Sequence, residues 1–183
     1  GTTEVAVISL GGIVSSRSLR VAGDELNQDI INFARDQYNL LLGERTAEEI
    51  KIAVGSALPL GKPLTAPMRG RDLITGLPKE IIIDDEQVRR AMAKSVQSLV
   101  DAMKVTIEES PPELVADILG QGIMLAGGGA LLRGLDRLVS ESTNMKVHVA
   151  DDPLTCVVRG PGVVLEDIDI LREVLLPTEY VRP

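Results

Sequence analysis

Apolar positions follow each other closely in "EVAVISL", residues 4–10, with the alternation and β-branching of a strand. Gly11 and Gly12 form a two-residue turn signal, and "IVSSRSLRV" reads as the return strand, so residues 3–21 predict a β-hairpin. The period then changes. Leu26, Ile30, Phe33 or Ala34, Tyr38 and Leu41 recur at three- and four-residue steps, which is one face of a helix. Asp24 fits its N-cap and Gly43 its C-terminal glycine. Thr46 and Glu49 have capping-box spacing, which predicts a second, shorter helix from about residue 46.

Residues 57–78, "ALPLGKPLTAPMRGRDLITGLP", are rich in Pro and Gly and read as a loop, one strand near 68–75 and a turn at Thr75-Gly76. A strand in "LPKEIIID" follows, and Asp84 or Asp85 caps a long helix. Val88, Met92, Val96, Leu99, Met103 and Ile107 step along one face of that helix. "SPPEL" restarts a short helix, with Pro111 and Pro112 tolerated in its first turn. A strand at 122–126 runs into Gly127, Gly128 and Gly129, and a helix is expected from about 130 to 142. "MKVHVA" at 145–150 reads as a strand. "PLTCVVRGPGVVLEDIDILREVLL" reads as helix, a break at Gly160-Pro161-Gly162, then more helix. This order of strands and helices is an α/β pattern.

Composition narrows the picture. Hydrophobic residues make up 44% of the 183, while Phe33, Tyr38 and Tyr180 are the only aromatics, so the core is aliphatic. A net charge of −8 leaves no basic stripe for a nucleic acid. One cysteine, Cys156, cannot form an internal disulfide and fits a reducing compartment. No apolar run is long enough to span a membrane and no signal peptide is evident. The abrupt opening, "GTTEVAVISL", reads as a piece of something longer.

Gly127–Gly129 carry the strongest candidate chemistry. Residues without Cβ let a flat or charged ligand approach the backbone, and a following helix would add unpaired N–H groups and the positive end of its dipole. A tight packing turn is the alternative. The run is neither a Walker A loop nor G-x-G-x-x-G. "GTT" at residues 1–3 offers N–H and O–H donors suited to phosphate oxygens, or is an ordinary loop end. Glu48 and Lys51 share a helix face, as a surface ion pair would. His148 reads as a strand histidine and Cys156 as core or helix packing, so no zinc site is expected. A G-x-S-x-G nucleophile elbow is absent. Asp84-Asp85-Glu86 and Asp151-Asp152 are explained by helix capping.

Six segments, "GTTEVAVISLGGIV", "GERTAEEIK", "TGLPKEI", "SPPELVADI", "AGGGALLRGLDRLVSE" and "DDPLTCVVRGPG", closely resemble in order and spacing the carboxy-terminal half of the MreB family, the rod-shape-determining bacterial actins. The resemblance covers nearly the whole chain. It implies the second half of an actin-like (ribonuclease H-like) ATPase fold: a core sheet with flanking helices plus a small inserted α+β subdomain. The core subdomain would comprise residues 1–23 and 86–183, and the inserted tip residues 24–85.

The resemblance also implies ATP with Mg²⁺ in a cleft between two halves. Gly1, Thr2 and Thr3 would lie at the phosphates. Glu48, Glu49, Ile50 and Lys51 would flank the adenosine, and Gly127, Gly128, Gly129 and Ala130 would form the adenosine motif. It implies a self-assembling filament in the cytoplasm at the membrane, working with the cell-wall elongation machinery at the inner membrane to set rod shape, with no nucleic-acid partner. The family's first phosphate loop, the aspartate before its second and its membrane-contacting segment lie in the other half. Hydrolysis is therefore expected of an intact member and not of this stretch alone. Pro161 departs from the small residue expected there. A sugar or carboxylate kinase, or a chaperone ATPase of the same superfamily, is the alternative reading.

Overall fold

The hairpin forms, but its turn sits one residue early. β1 (Thr3–Ser9) pairs antiparallel with β2 (Gly12–Leu19) in a register from Thr3↔Leu19 to Ser9↔Gly12. Leu10 (φ 50°) and Gly11 (φ 78°) make the turn, and Gly12 already belongs to the strand. A hairpin of this hand needs positive φ at both central residues. The computed structural model that shows this describes residues 1–166.

α1 (Gly23–Tyr38) buries Leu26, Ile30 and Ala34 on the expected face. Both of its ends differ from expectation. Ala22 precedes it without a side-chain cap, and Asp24 lies inside the first turn. Asn39, not Gly43, takes the left-handed position at φ 51° and returns its N–H to the carbonyls of Ala34 and Arg35. Asparagine tolerates that conformation. The helix therefore stops before Leu41, and Leu40–Leu41 forms a short strand, β3, whose Leu40 is fully buried. Gly43 instead precedes α2 (Glu44–Val54), which starts two residues before Thr46, so Thr46 and Glu49 make no capping box.

β4 (Thr65–Asp72) starts three residues before the expected strand and joins β5 (Pro78–Asp84) and β3 in an antiparallel sheet, order β3-β4-β5. Ala66 and Met68 point into the core. α3 (Asp85–Glu108) is capped by Asp84: the Gln87 N–H donates to Asp84 Oδ1 at 2.8 Å and the Asp84 N–H to Gln87 Oε1 at 3.0 Å. Val88, Met92, Val96, Leu99 and Met103 are buried as their spacing demands, and Ile107 is half-buried.

α4 (Pro112–Gln121) begins at the proline pair. β6 (Ile123–Leu125) and β7 (Val147–Val149) are parallel neighbours, joined through α5 (Leu135–Thr143). α6 (Cys156–Glu166) runs through Gly160-Pro161-Gly162 without the expected break. Proline there removes one helical N–H, and the flanking glycines add no Cβ crowding within 4 Å. The helix expected beyond Glu166 lies outside the described residues. Asp151 and Asp152 stand in the turn before α6: Asp152 has φ 49° and accepts from Thr155 Oγ1 at 2.5 Å, so neither serves as the expected cap. One apolar cluster, including Ile30, Ile50, Met68, Ile83, Met92, Val100, Leu125 and Val139, joins α1, α2, the three-stranded sheet, α3, β6 and α5.

The β4–β5 turn contains a titratable lock. Asp72 Oδ2 lies 2.9 Å from Lys79 Nζ, and its Oδ1 accepts the N–H groups of Ile74 and Thr75. Lys79 first, then the two N–H groups, hold the carboxyl down at about 2. The folded value is below the ordinary one of about 3.9, so the contribution is complete above that value and is lost as pH falls toward 2. Acid titration of the parent should loosen the Ile74 and Thr75 amides across that window. Asp72→Asn should remove most of the dependence, as read by amide exchange.

Candidate functional site

Ala47, Ile50 and Val54 bury the inner face of α2. The helical period then sets Glu48 and Lys51 together on its flank. Lys51 Nζ donates to Glu48 Oε2 at 2.7 Å and to the Gly23 carbonyl, at the start of α1, at 3.0 Å. Asn27 Nδ2, on a side chain more than nine-tenths buried, donates to the same Glu48 oxygen at 2.8 Å. Among the described residues Glu48 Oε1 takes no hydrogen bond. The Lys51 hydrogen bond, with Asn27 assisting, holds the Glu48 carboxyl below the ordinary glutamate value.

The start of β1 meets this cluster. A Cβ at Gly1 would lie 3.3 Å from that of Ala22 and 3.9 Å from Asp24 Oδ2, and Thr3 Oγ1 donates to the Val21 carbonyl at 2.8 Å. A hollow of about 270 Å³ lined by Asp24, Asn27, Gln28, Ile31 and Glu44 opens beside them. Gly1, Thr3, Glu48 and Lys51 are thus gathered at one end of α1, with Thr2 exposed next to them. The other two residues of the "EEIK" set face elsewhere. Glu49 pairs with Arg45 at 3.1 Å, and Ile50 is 2% exposed in the core.

The glycine run leads, four residues on, to Arg133 at the C-terminal end of α2, where Ser56 and Arg133 form a parallel bridge and the Ala57 N–H donates to the Arg133 carbonyl at 2.8 Å. Gly127 (φ 82°) turns the chain out of β6, and Gly128–Leu131 form a 3-10 turn. The expected strand-to-helix joint is therefore corrected: α5 begins only at Leu135, so the glycines lead into the 3-10 turn and not directly into an α-helix. A Cβ at Gly127 or Gly129 would meet nothing within 4 Å, while one at Gly128 would lie 3.3 Å from Leu154. Ala130 is buried behind the run.

His148 is exposed on β7, as a strand histidine. Cys156 is half-exposed at the head of α6, 3.4 Å from Arg159 Nη2, so of its two expected places, core or helix packing, it does not take the core. Among the described residues no group of metal-ligating side chains stands together. No helix among them is long and apolar enough to cross a membrane. Sequence reading missed Asn27, Gly23 and Arg133. Asn27 left one signal, a polar residue inside an apolar helix face.

Fold and layout define an actin-like α/β body. The MreB5 protein of Spiroplasma citri, in a crystal structure bound to AMPPNP, superposes with a TM-score of 0.89 at 36% identity, over 94% of this chain and 52% of that one. The MamK double helical filament matches with a TM-score of 0.76 at 22% identity, which supports the fold. The model of the MreB/Mbl protein family matches residues 1–173, and the chain belongs to that family. It is 46% identical to the cell shape-determining protein Mbl of Bacillus subtilis over 171 residues, 93% of this chain and 51% of Mbl. It is 48% identical to the cell shape-determining protein MreB of Escherichia coli over 170 residues, 93% of this chain and 49% of MreB. The chain spans about half the length of the curated relatives it matches. Membership supports the cytoskeletal reading over the kinase and chaperone alternatives.

Asn27→Ala removes one of the two donors on Glu48 Oε2. The Glu48 carboxyl should titrate higher than in the parent, seen by carbon NMR. Stability should fall by about 1 kcal/mol in urea denaturation, because the lost hydrogen bond to the Glu48 carboxylate is offset only in part by removal of the buried, unpaired Asn27 Oδ1.

Proposed function

We propose that this chain forms one wall of an adenine-nucleotide cleft in an actin-like filament protein that helps set cell shape. The supporting observation is α2, which holds Glu48 and Lys51 against the β1–α1 end of the surface and whose C-terminal end meets Arg133, four residues beyond the glycine run. Open space over Gly127 and Gly129 fits the approach of a flat base to the backbone. Glu48 Oε1 fits a hydroxyl donor such as a ribose. Gly1, Thr2 and Thr3 lie where phosphates would follow. Mg²⁺ would be carried largely on phosphate oxygens.

The relatives' names extend the proposal. The intact protein would polymerise through head-to-tail contacts, which do not close and so make filaments. It would work in the cytoplasm at the membrane with the cell-wall elongation machinery. Residues 24–85 would be the inserted tip that meets the next subunit. Exposed Ile74 and Ile82 near the β4–β5 turn and sheet fit such a contact better than buried Met68.

Phosphoryl transfer needs positioning and charge stabilisation on both sides of the phosphate chain. This chain alone should bind ATP weakly and release no phosphate. Gly129→Val puts a branched side chain into open space, so the fold should survive while nucleotide affinity in a chain carrying both halves drops at least about tenfold. Unchanged affinity by calorimetry would make the run a packing turn. In the same two-half chain, Ile74→Asp with Ile82→Asp should raise the critical concentration for pelleting and leave ATP affinity unchanged. Equal pelleting at every concentration would remove the tip from the filament contact.

A further inference from the structure

Arg133 lies at the exit of the glycine run and reaches back to α2. Its Nη1 donates to the carbonyls of Ile52 at 2.9 Å and Gly55 at 3.2 Å. Both belong to the last turn of α2 and its cap, where carbonyls lack helical partners and the dipole is negative. A guanidinium satisfies both needs with charge-assisted bonds in fixed geometry. The backbone adds the Ala57 N–H to Arg133 carbonyl bond at 2.8 Å. Close approach is built in: a Cβ on Gly55 would lie 2.4 Å from the Lys51 carbonyl and 3.4 Å from the Leu132 side chain. Gly134, at φ 76°, turns the chain away again, with its Cβ position 3.3 Å from Leu58.

From this arrangement we infer that Arg133 is a positioning residue, which fixes the place of the glycine run relative to the Glu48–Lys51 face by clamping the end of α2. The 3-10 turn transmits the clamp. The Leu132 N–H bonds to the Gly129 carbonyl at 3.1 Å and the Ala130 N–H to that of Gly127 at 3.2 Å. Arg133 is therefore coupled to Gly127 through two short backbone links. The inference rests on the nucleotide reading for its purpose: a ligand that touches both faces binds only while their spacing holds. The clamp itself stands on the geometry alone.

Two variants of the 183-residue chain test it, Arg133→Gln and Arg133→Lys. Amide exchange in Arg133→Gln should speed up at Ala57, Ala130 and Leu132 by at least about tenfold, the effect of losing the charge-assisted bonds to two carbonyls. The β4–β5 ladder should be unchanged, and Arg133→Lys, which keeps the charge but not the planar geometry, should fall between the parent and Arg133→Gln. Unaltered exchange at Ala130 and Leu132, or equal acceleration throughout the molecule, would overturn the clamp. A second arm titrates each chain with Mg²⁺-AMPPNP, and separately with pyrophosphate, to millimolar concentration. The clamp predicts that Arg133→Gln weakens AMPPNP about tenfold and leaves pyrophosphate unaffected. Should AMPPNP shift no resonance at Glu48–Lys51 or Gly127–Ala130 in the parent, the nucleotide reading falls. The exchange arm then still decides the clamp.

Discussion

Burial of one face of α2 is the constraint on which the site depends. Ala47, Ile50 and Val54 are at most 2% exposed, and they pack into the same cluster as α1, the three-stranded sheet and α3. Rotating α2 would expose them, at a cost of about 1.5–3 kcal/mol for each of the two larger side chains. With that face fixed, the 3.6-residue period leaves no choice for the rest. Glu48 and Lys51 must stand on the α1 side, and Glu49 must turn toward Arg45. The polar bonds then adjust the helix within a position that packing has already chosen.

What the sequence made legible was local or periodic. The α3 stripe from Val88 to Met103, its Asp84 cap and the i, i+3 pairing of Glu48 with Lys51 all follow from spacing within one element. Errors clustered at element ends, where several residues can take the same role. Sequence reading puts the helix end at Gly43 although Asn39 tolerates the same left-handed conformation, because Leu41 continues the helical period. Tertiary pairing decided against the helix, because Leu40 fills the core while β3 gains hydrogen bonds from β4. Contacts such as Arg133 with Ile52 are 81 residues apart and leave no mark on local pattern. Asn27 is intermediate: its oddness in an apolar stripe was visible, but its partner 21 residues away was not.

The charge of the site constrains how any ligand can lie on it. Glu48 is held ionised by Lys51 and Asn27, so at neutral pH it can only accept hydrogen bonds. Asp24 and Glu44 line the adjoining hollow. Lys51 spends its ammonium on Glu48 and Gly23, which leaves little positive charge to offer a phosphate. An anionic group would be repelled here, whereas a hydroxyl-bearing sugar would find an acceptor. On the proposed reading, the sugar end of a nucleotide therefore belongs beside Glu48, and the base beside the uncrowded glycines. On the same reading the phosphates would lie toward Thr2, whose exposed hydroxyl is a donor, while Asp24 beside Gly1 sets a negative charge that they would have to face. Cations that neutralise such phosphates would then come from outside this acidic surface, with Mg²⁺ and the proposed opposite wall as their sources. This is the same division of labour that phosphoryl transfer demands, reached here from the charges of one wall.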